Sequence, residues 1–142
     1  MRSKTSETEP WRPVGYVTVA ERRCREQIAA ALNSQGWLVV EPPTGFHVVE
    51  AISGLITGDA PWLRPGLIVI DAAARGCAGT TIASGLRDLG IEIPMILVTS
   101  DRAPVIDRDV IVADPITAPA VVGELAKPWS RLAPRRRERA VA

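Results

Sequence analysis

The sequence has 142 residues, 46% of them hydrophobic and 23% charged, and a formal net charge of +1. These values are typical of one globular domain with a buried core and exclude an intrinsically disordered chain. The small net charge excludes a strong overall attraction to nucleic acid or to a membrane surface, and no apolar run approaches the length of a membrane span. Two cysteines and one histidine are too few for a disulfide framework or an ordinary zinc site. We therefore expect a reduced, cytoplasmic protein.

The first half of the chain predicts two strand–helix pairs after a flexible polar leader at residues 1–13. Residues 16–20 predict a strand, and the apolar side chains that follow recur at helical spacing until Gly36. A second strand is expected at residues 37–40, where two prolines end it, and a second helical stripe covers residues 48–56.

The second half continues the same alternation. An uninterrupted aliphatic run ends just before Asp71, as expected for a central parallel strand that is covered on both faces. A helical stripe follows at residues 82–89, and a last helix is predicted to begin at a Thr117 cap and to end at Pro128. Residues 128–142 form a basic tail rich in arginine. The three strands predicted in this half are 67–70, 95–98 and 110–113.

Alternating strands and helices over residues 14–127 predict one α/β domain with a parallel sheet, right-handed crossovers and helices on both faces. Five strands point to a flavodoxin-like arrangement with the strand order 2-1-3-4-5. In such sheets the functional site lies beyond the carboxyl ends of the strands.

Polar residues stand at those carboxyl ends. Asp71 follows the third predicted strand, and a carboxylate at the end of a central apolar strand is costly to bury unless it is partnered or solvated. It either caps a loop or helix or acts as an exposed nucleophilic or metal-binding carboxylate in a cleft. The other polar residues that follow predicted strands are Glu21, Thr99 and Asp114.

These segments resemble bacterial response-regulator receiver domains, the CheY-like family. The run 67–71, with Gly79 eight positions after Asp71, is similar to the phosphoacceptor strand and its loop. Residues 94–100 are similar to the family's fourth strand, which ends in a switch threonine or serine. Asp114 and Pro115 stand where the family has Lys-Pro, before the last helix.

The resemblance implies a role for each residue. Asp71 would accept a phosphoryl group from a histidine kinase, and Thr99 would be the switch hydroxyl. Glu21 would be the acidic-pocket residue, and it would hold Mg²⁺ together with Asp71 and the carbonyl of Ala73. A cation is needed because a carboxylate cannot readily attack an anionic phosphoryl group until both are neutralised.

Three departures from the family weaken that chemistry. Ala20 takes the place of one member of the acidic pair, which should weaken Mg²⁺ binding without abolishing it. Asp114 replaces the lysine and adds an anion where the phosphoryl group would sit. Only fourteen residues separate Thr99 from Asp114, fewer than the family's usual spacing, so we expect a shortened or missing fourth helix and a remodelled output face.

Other charged groups leave alternatives open. Arg22, Arg75 or Arg102 would each supply a positive charge suited to phosphate, or each is a solvated loop charge. The carboxylates of Glu21, Asp71 and Asp114 would together bind a divalent cation, or they would share protons. The basic tail would contact nucleic acid or an acidic partner, but a solvated end is the more common case, so we do not expect nucleic-acid binding.

We expect a divergent receiver, or pseudo-receiver, that transmits signals through protein–protein contacts with weak or absent phosphorylation of Asp71. The alternatives are a competent phosphoacceptor and, from another class, a small ligand-binding module of flavodoxin type. We do not expect an enzyme. Expected partners are a histidine kinase or an output protein, and the resemblance also implies homodimerisation through the fifth strand and the last helix. It further suggests a cis bond between Asp114 and Pro115.

Overall fold

The computed structural model describes residues 12–58, 64–100 and 110–127. Strands and helices alternate through this part of the chain, as the hydrophobic pattern predicts. The strands are β1 (Val14–Thr18), β2 (Leu38–Val40), β3 (Leu67–Asp71), β4 (Met95–Val98) and β5 (Val110–Ala113). The helices are α1 (Arg22–Ser34), α2 (Gly45–Thr57), α3 (Gly79–Asp88) and α4, residues 118–127.

The five strands form one parallel sheet in the order β2-β1-β3-β4-β5, which confirms the predicted flavodoxin-like arrangement. The register pairs Thr18 with Ile70 and Asp71 with Val98. Because all strands are parallel, their carboxyl ends lie along one edge of the sheet. The residues that follow β1, β3 and β4 are therefore neighbours in space.

The first two strands differ slightly from their predicted positions. β1 begins two residues before the predicted start, because Val14 pairs with Leu38 of β2. Trp37 precedes β2 instead of opening it, since its backbone N–H donates to the carbonyl of Leu32 in α1 (3.1 Å) and its side chain is fully buried in the core. The guanidinium Nε of Arg12 donates to the carbonyl of Gly36 (3.1 Å).

The sheet is covered on both faces, as predicted. Residues along β3 alternate between two core clusters: Leu67 and Val69 face one, and Ile68 and Ile70 face the other. The first cluster includes the buried faces of α1 and α4, and the second includes those of α2 and α3. This alternation follows from the two-residue period of a strand, and burying each aliphatic side chain stabilises the fold by about 1.5–3 kcal/mol.

Several predictions concern residues outside this described part of the chain. They include the shortened or missing fourth helix, which falls on residues 101–109 together with Arg102, most of the leader at residues 1–13, and the basic tail at residues 128–142. None of the helices in the described ranges is long and apolar enough to cross a membrane.

Candidate functional site

A cleft of about 320 Å³ lies at the carboxyl ends of β1 and β3, beside the loop that follows β2. It is lined by residues 17–20 on one strand end and by Pro42 and Pro43 in the loop after β2. The side chains that can carry chemistry there are those of Thr18, Arg25, Glu41, Asp71 and Arg75. This is the edge of the sheet at which the sequence predicts a site.

Asp71 is the last residue of β3, and its side chain is half-buried in this cleft. Its Oδ2 atom accepts a hydrogen bond from the backbone N–H of Ala20 (2.8 Å). Burial raises the pKa of the Asp71 carboxyl above its ordinary value, and the Ala20 hydrogen bond opposes that rise. Within the described residues the helix that follows, α3, has no side-chain cap, so the structure favours the cleft over the capping role for Asp71.

Gly79 allows α3 to begin directly against the end of β3. A Cβ atom at this position would lie 2.5 Å from the carbonyl oxygen of Asp71 and 2.9 Å from a methyl carbon of Leu97. Only a residue without a side chain fits between them. The glycine eight positions after Asp71 therefore has a steric role in positioning the loop around the carboxylate.

The loop between β3 and α3, residues 72–78, rests on the first turn of α2. The N–H of Gly45 donates to the carbonyl of Arg75 (2.7 Å), and a Cβ atom at Gly45 would collide with the backbone of Cys77. Gly76 in this loop has a φ of 84°, a conformation that glycine adopts readily. Ala73 lies in the same loop and is exposed.

Glu21 caps α1. Its two carboxylate oxygens accept hydrogen bonds from the backbone N–H groups of Cys24 (2.8 Å) and Arg23 (3.0 Å). These bonds lower the pKa of the Glu21 carboxyl, and the positive end of the helix dipole favours the same ionised state. Both oxygens of the predicted acidic-pocket residue thus already have backbone partners.

Asp114 also acts as a cap. Its Oδ1 atom accepts hydrogen bonds from the N–H groups of Thr117 (2.8 Å) and Ile116 (2.9 Å) and from the Thr117 hydroxyl (3.1 Å). The bond from the Thr117 N–H is the main cause of the lowered pKa of Asp114. α4 begins directly after Thr117, as predicted, and the Thr117 carbonyl accepts a hydrogen bond from the N–H of Val121 (3.1 Å) while its hydroxyl donates to Asp114.

The Asp114–Pro115 bond is trans, since the described residues contain no cis peptide, so the prediction of a cis bond is wrong. Pro115 begins the turn that leads into α4, with the Ala118 N–H donating to the Asp114 carbonyl (2.9 Å). Proline suits the first position of such a turn because its φ is already helical and its missing N–H needs no partner there.

Thr99 directly follows β4 and is half-buried. Its N–H donates to the carbonyl of Ala113 (3.0 Å), so the backbone pairing of β4 and β5 continues up to this residue. The register between β3 and β4 pairs Asp71 with Val98. The predicted switch hydroxyl and the predicted acceptor therefore lie on neighbouring strands at the same edge.

Arg25 lines the cleft, although the sequence did not single it out. Of the arginines that the sequence did suggest, Arg22 pairs with Glu26 on the exposed face of α1 (3.0 Å), while Arg75 lines the cleft. The spacing in the sequence could have indicated Arg25. It lies four residues after Glu21, which caps α1, so the two side chains lie on the same face of the helix.

The three carboxylates at this edge all influence the buried thiol of Cys24. Its pKa is raised first by burial and then by the negative charges of Glu21, Asp71 and Asp114. Yet no cluster of three or more His, Cys, Asp or Glu side chains suited to a metal ion occurs in the described ranges.

These donor groups fit Mg²⁺ poorly. The ion requires oxygen ligands in near-octahedral geometry, but Glu21 uses both oxygens to cap α1 and Asp71 uses one for Ala20. Position 20 contributes a backbone N–H here instead of a carboxylate.

Neither the models of protein families nor the curated proteins compared with this sequence gave a match. The comparison with solved structures did give clear matches. A response regulator receiver domain protein from Bacillus halodurans is 15% identical with a TM-score of 0.60, and the match covers 86% of this chain and 97% of that one. A DNA-binding response regulator of the LuxR family from Staphylococcus aureus is 14% identical with a TM-score of 0.61, covering 85% and 98%.

A third similar structure is the N-terminal domain of a three-domain response regulator/sensory box/GGDEF protein from Carboxydothermus hydrogenoformans. It is 22% identical with a TM-score of 0.55, and the match covers 92% of this chain and all of that domain. This chain has the receiver fold. The likeness covers nearly the full length of each compared domain, so it extends over the whole sheet.

Within this receiver fold the predicted site residues divide into two groups. Asp71 and Thr99 lie at the ends of β3 and β4, where neither of them caps a described helix. Glu21 and Asp114 lie at the same edge but stabilise the beginnings of α1 and α4. Ala73 lies in the exposed loop, and its proposed carbonyl role stays a prediction.

Proposed function

We propose that this chain is a divergent receiver domain of two-component signal transduction that acts by binding other signalling proteins, with weak or absent phosphorylation of Asp71. The observation that carries the proposal is the capping role of Asp114 at the position where the resemblance places a lysine. The proposed unit spans residues 14–127, with 1–13 as a leader and 128–142 as a basic tail.

Asp114 argues against phosphorylation because it brings a carboxylate to the edge of the sheet where the resemblance places a lysine, although it does not line the cleft around Asp71. Transfer to a carboxylate needs positive charge around the incoming phosphoryl oxygens. Asp114 instead supplies a carboxylate whose three hydrogen bonds keep it ionised at neutral pH. Turning this side chain away would leave two backbone N–H groups without their cap.

The state of Asp71 supports the same conclusion. Burial raises its pKa, which makes the nucleophilic anion less favourable than that of an exposed aspartate. The Ala20 N–H also engages Oδ2, so one of the two carboxylate oxygens is already bonded. The Ala20 hydrogen bond therefore withholds one of the two oxygens that could attack.

For the signalling role we propose contact with a histidine kinase or an output protein, or self-association through β5 and α4. Ile111 on β5 is 38% exposed and Ile116, just before α4, is 88% exposed. Both side chains lie at or beside the elements through which the proposed self-association would form. A cytoplasmic location and the lack of a separate enzymatic activity belong to the same proposal.

Phosphorylation of Asp71 can be tested with acetyl phosphate and Mg²⁺, followed by intact-mass analysis, and with beryllofluoride monitored by NMR. We expect no modification of the wild-type chain. Asp114→Lys should gain a measurable modification at Asp71 because it restores a cation. The matched control Asp114→Asn keeps a capping oxygen but adds no cation, and it should stay unmodified.

The opposite result would identify a competent phosphoacceptor. Robust modification of the wild-type chain that disappears in Asp71→Asn would overturn the proposal of weak or absent phosphorylation. The beryllofluoride measurement on the wild-type chain is sufficient for this decision, so the test stands even where Asp114→Lys does not fold. Circular dichroism of each variant shows whether it is folded.

A further inference from the structure

The guanidinium group of Arg25 ties together segments that border Asp71. Its Nη1 atom donates to the carbonyl oxygens of Val19 (3.0 Å) and Ala20 (3.2 Å), just beyond the end of β1. Its Nε atom lies 3.5 Å from a carboxylate oxygen of Glu41, after β2. Arginine suits this role because its planar group presents several donors in fixed directions.

One of these bonds bears directly on Asp71 through a single peptide unit. The carbonyl of Val19 and the N–H of Ala20 belong to the same peptide plane, and in a trans peptide they point in opposite directions. Arg25 holds the carbonyl side of this plane, while the N–H side donates to Oδ2 of Asp71 (2.8 Å). When Arg25 holds the Val19 carbonyl in place, the direction of the Ala20 N–H is therefore set as well.

We propose that Arg25 is a positioning residue for Asp71: by holding the Val19 carbonyl it directs the Ala20 N–H onto Oδ2 and so withholds this oxygen from other ligands. The arrangement explains why a residue without a functional side chain suffices at position 20, since its backbone supplies the contact. The consequence for reactivity rests on the proposed function, but the hydrogen bond itself does not.

The ion pair with Glu41 is a secondary part of this arrangement. The Arg25 side chain is 33% exposed and that of Glu41 is 49% exposed, so the pair is accessible to solvent. Pairs of this kind contribute little. The two hydrogen bonds to backbone carbonyls are therefore the contacts expected to hold the peptide plane.

The test is amide hydrogen exchange measured by NMR, without metal or phosphate. Arg25→Met should accelerate exchange at Ala20 by on the order of tenfold, the factor expected for the loss of about one hydrogen bond. It should also remove the chemical-shift signature of an N–H bonded to a carboxylate. The amide of Val17, inside the β1 ladder, should be unaffected.

Arg22→Met is the matched control, because Arg22 lies on the same helix and pairs with Glu26 on its exposed face. It should leave Ala20 unchanged, and Arg25→Lys should restore part of the protection. Where Arg25→Met does not fold, the comparison of Arg25→Lys and Arg25→Gln with the wild-type chain replaces it.

Unchanged exchange at Ala20 in the Arg25 variants would overturn the inference, as would an equal effect of Arg22→Met. Because no phosphate is present, these outcomes are independent of whether Asp71 can be phosphorylated.

Discussion

Asp71 and Asp114 are the same residue type at the same edge of the sheet, yet their surroundings shift their pKa values in opposite directions. Burial raises the pKa of Asp71, whereas hydrogen bonds from Thr117 and Ile116 lower that of Asp114. The ionised form of Asp71 is therefore disfavoured, whereas the ionised form of Asp114 is stabilised. The identity of a residue at a strand end therefore does not define its chemistry.

Asp71→Asn should increase the free energy of unfolding at neutral pH. The raised pKa means that Asp71 binds its proton more tightly in the folded protein than in the unfolded chain. The stabilisation from this bound proton is complete below the pKa of the unfolded chain, about 3.9. That effect is lost as pH rises through the folded pKa. Asparagine keeps an oxygen for the Ala20 N–H and carries no charge to bury.

The measurement is urea denaturation from pH 3 to pH 8. The advantage of Asp71→Asn over the wild-type chain should be small in acid and grow toward neutral pH. Asp88→Asn, at an exposed position in α3, serves as the control and should show no such trend. A variant less stable than the wild-type chain at neutral pH would contradict the prediction.

At the scale of elements, the packing of helices against strand ends determines where the site residues lie. Glycines permit the two closest approaches: Gly79 brings α3 against the end of β3, and Gly45 brings α2 against the loop around Cys77. The loop after Asp71 is thereby held where it meets α2 and where it leads into α3. Larger residues at these positions would move the loop away from the sheet.

Gly79→Ala should destabilise the protein by about 1–3 kcal/mol, the usual cost of overpacking. The added methyl group would approach the Asp71 carbonyl, and backbone cannot move aside as a flexible side chain would. Gly85→Ala is a control within the same helix, because no described atom lies within 4 Å of its Cβ position.

Gly85→Ala should be more stable than the wild-type chain by about 0.5–1 kcal/mol, since alanine favours a helix interior. Urea denaturation of both variants measures the difference. A Gly79→Ala variant as stable as Gly85→Ala would show that α3 is free to shift away from β3.

At the scale of the whole molecule, two core clusters on opposite faces of the sheet hold the domain together. Trp37 is the largest fully buried side chain among the described residues, and its indole N–H donates to the carbonyl of Ala126 in α4 (3.2 Å). This contact joins residues distant in the chain. It connects the edge of the sheet near β2 with the last described helix.

Trp37→Ala should lower the free energy of unfolding by about 3–5 kcal/mol, because it leaves a large cavity in the core. Hydrogen exchange should accelerate most in α1 and α4, which border the same cluster. Leu38→Ala is the control, since Leu38 is adjacent in sequence but exposed. A uniform small change across the domain would contradict the expected role of Trp37.

The order of strands and helices was predictable because hydrophobic periodicity is a local property. The aliphatic residues of β3 indicated a strand covered on both faces, and the same run placed Asp71 at its carboxyl end. The sheet order followed from the number of strands together with the resemblance of the strand-end residues to a known fold. These inferences need no knowledge of which side chains touch.

The partners of the charged side chains were not predictable from the sequence. Asp114 was expected to lie as an anion where a phosphoryl group would sit, but its carboxylate accepts three hydrogen bonds from Ile116 and Thr117. Arg25 was not among the predicted site residues, although it holds the end of β1. The number of suitable hydrogen-bond donors near an ionised group depends on how strand ends and loops meet in space.

The sequence alone therefore determined the α/β architecture and the position of Asp71 at the edge of the sheet, because apolar residues at regular spacing dictate both. Only the tertiary structure decided that Glu21 and Asp114 are occupied as helix caps and that the Ala20 N–H engages Asp71. The Ala20 contact exists because folding brings the ends of β1 and β3 within hydrogen-bonding distance, which no local pattern specifies, whereas the two caps join residues only two or three positions apart and depend on the turn geometry at the helix starts.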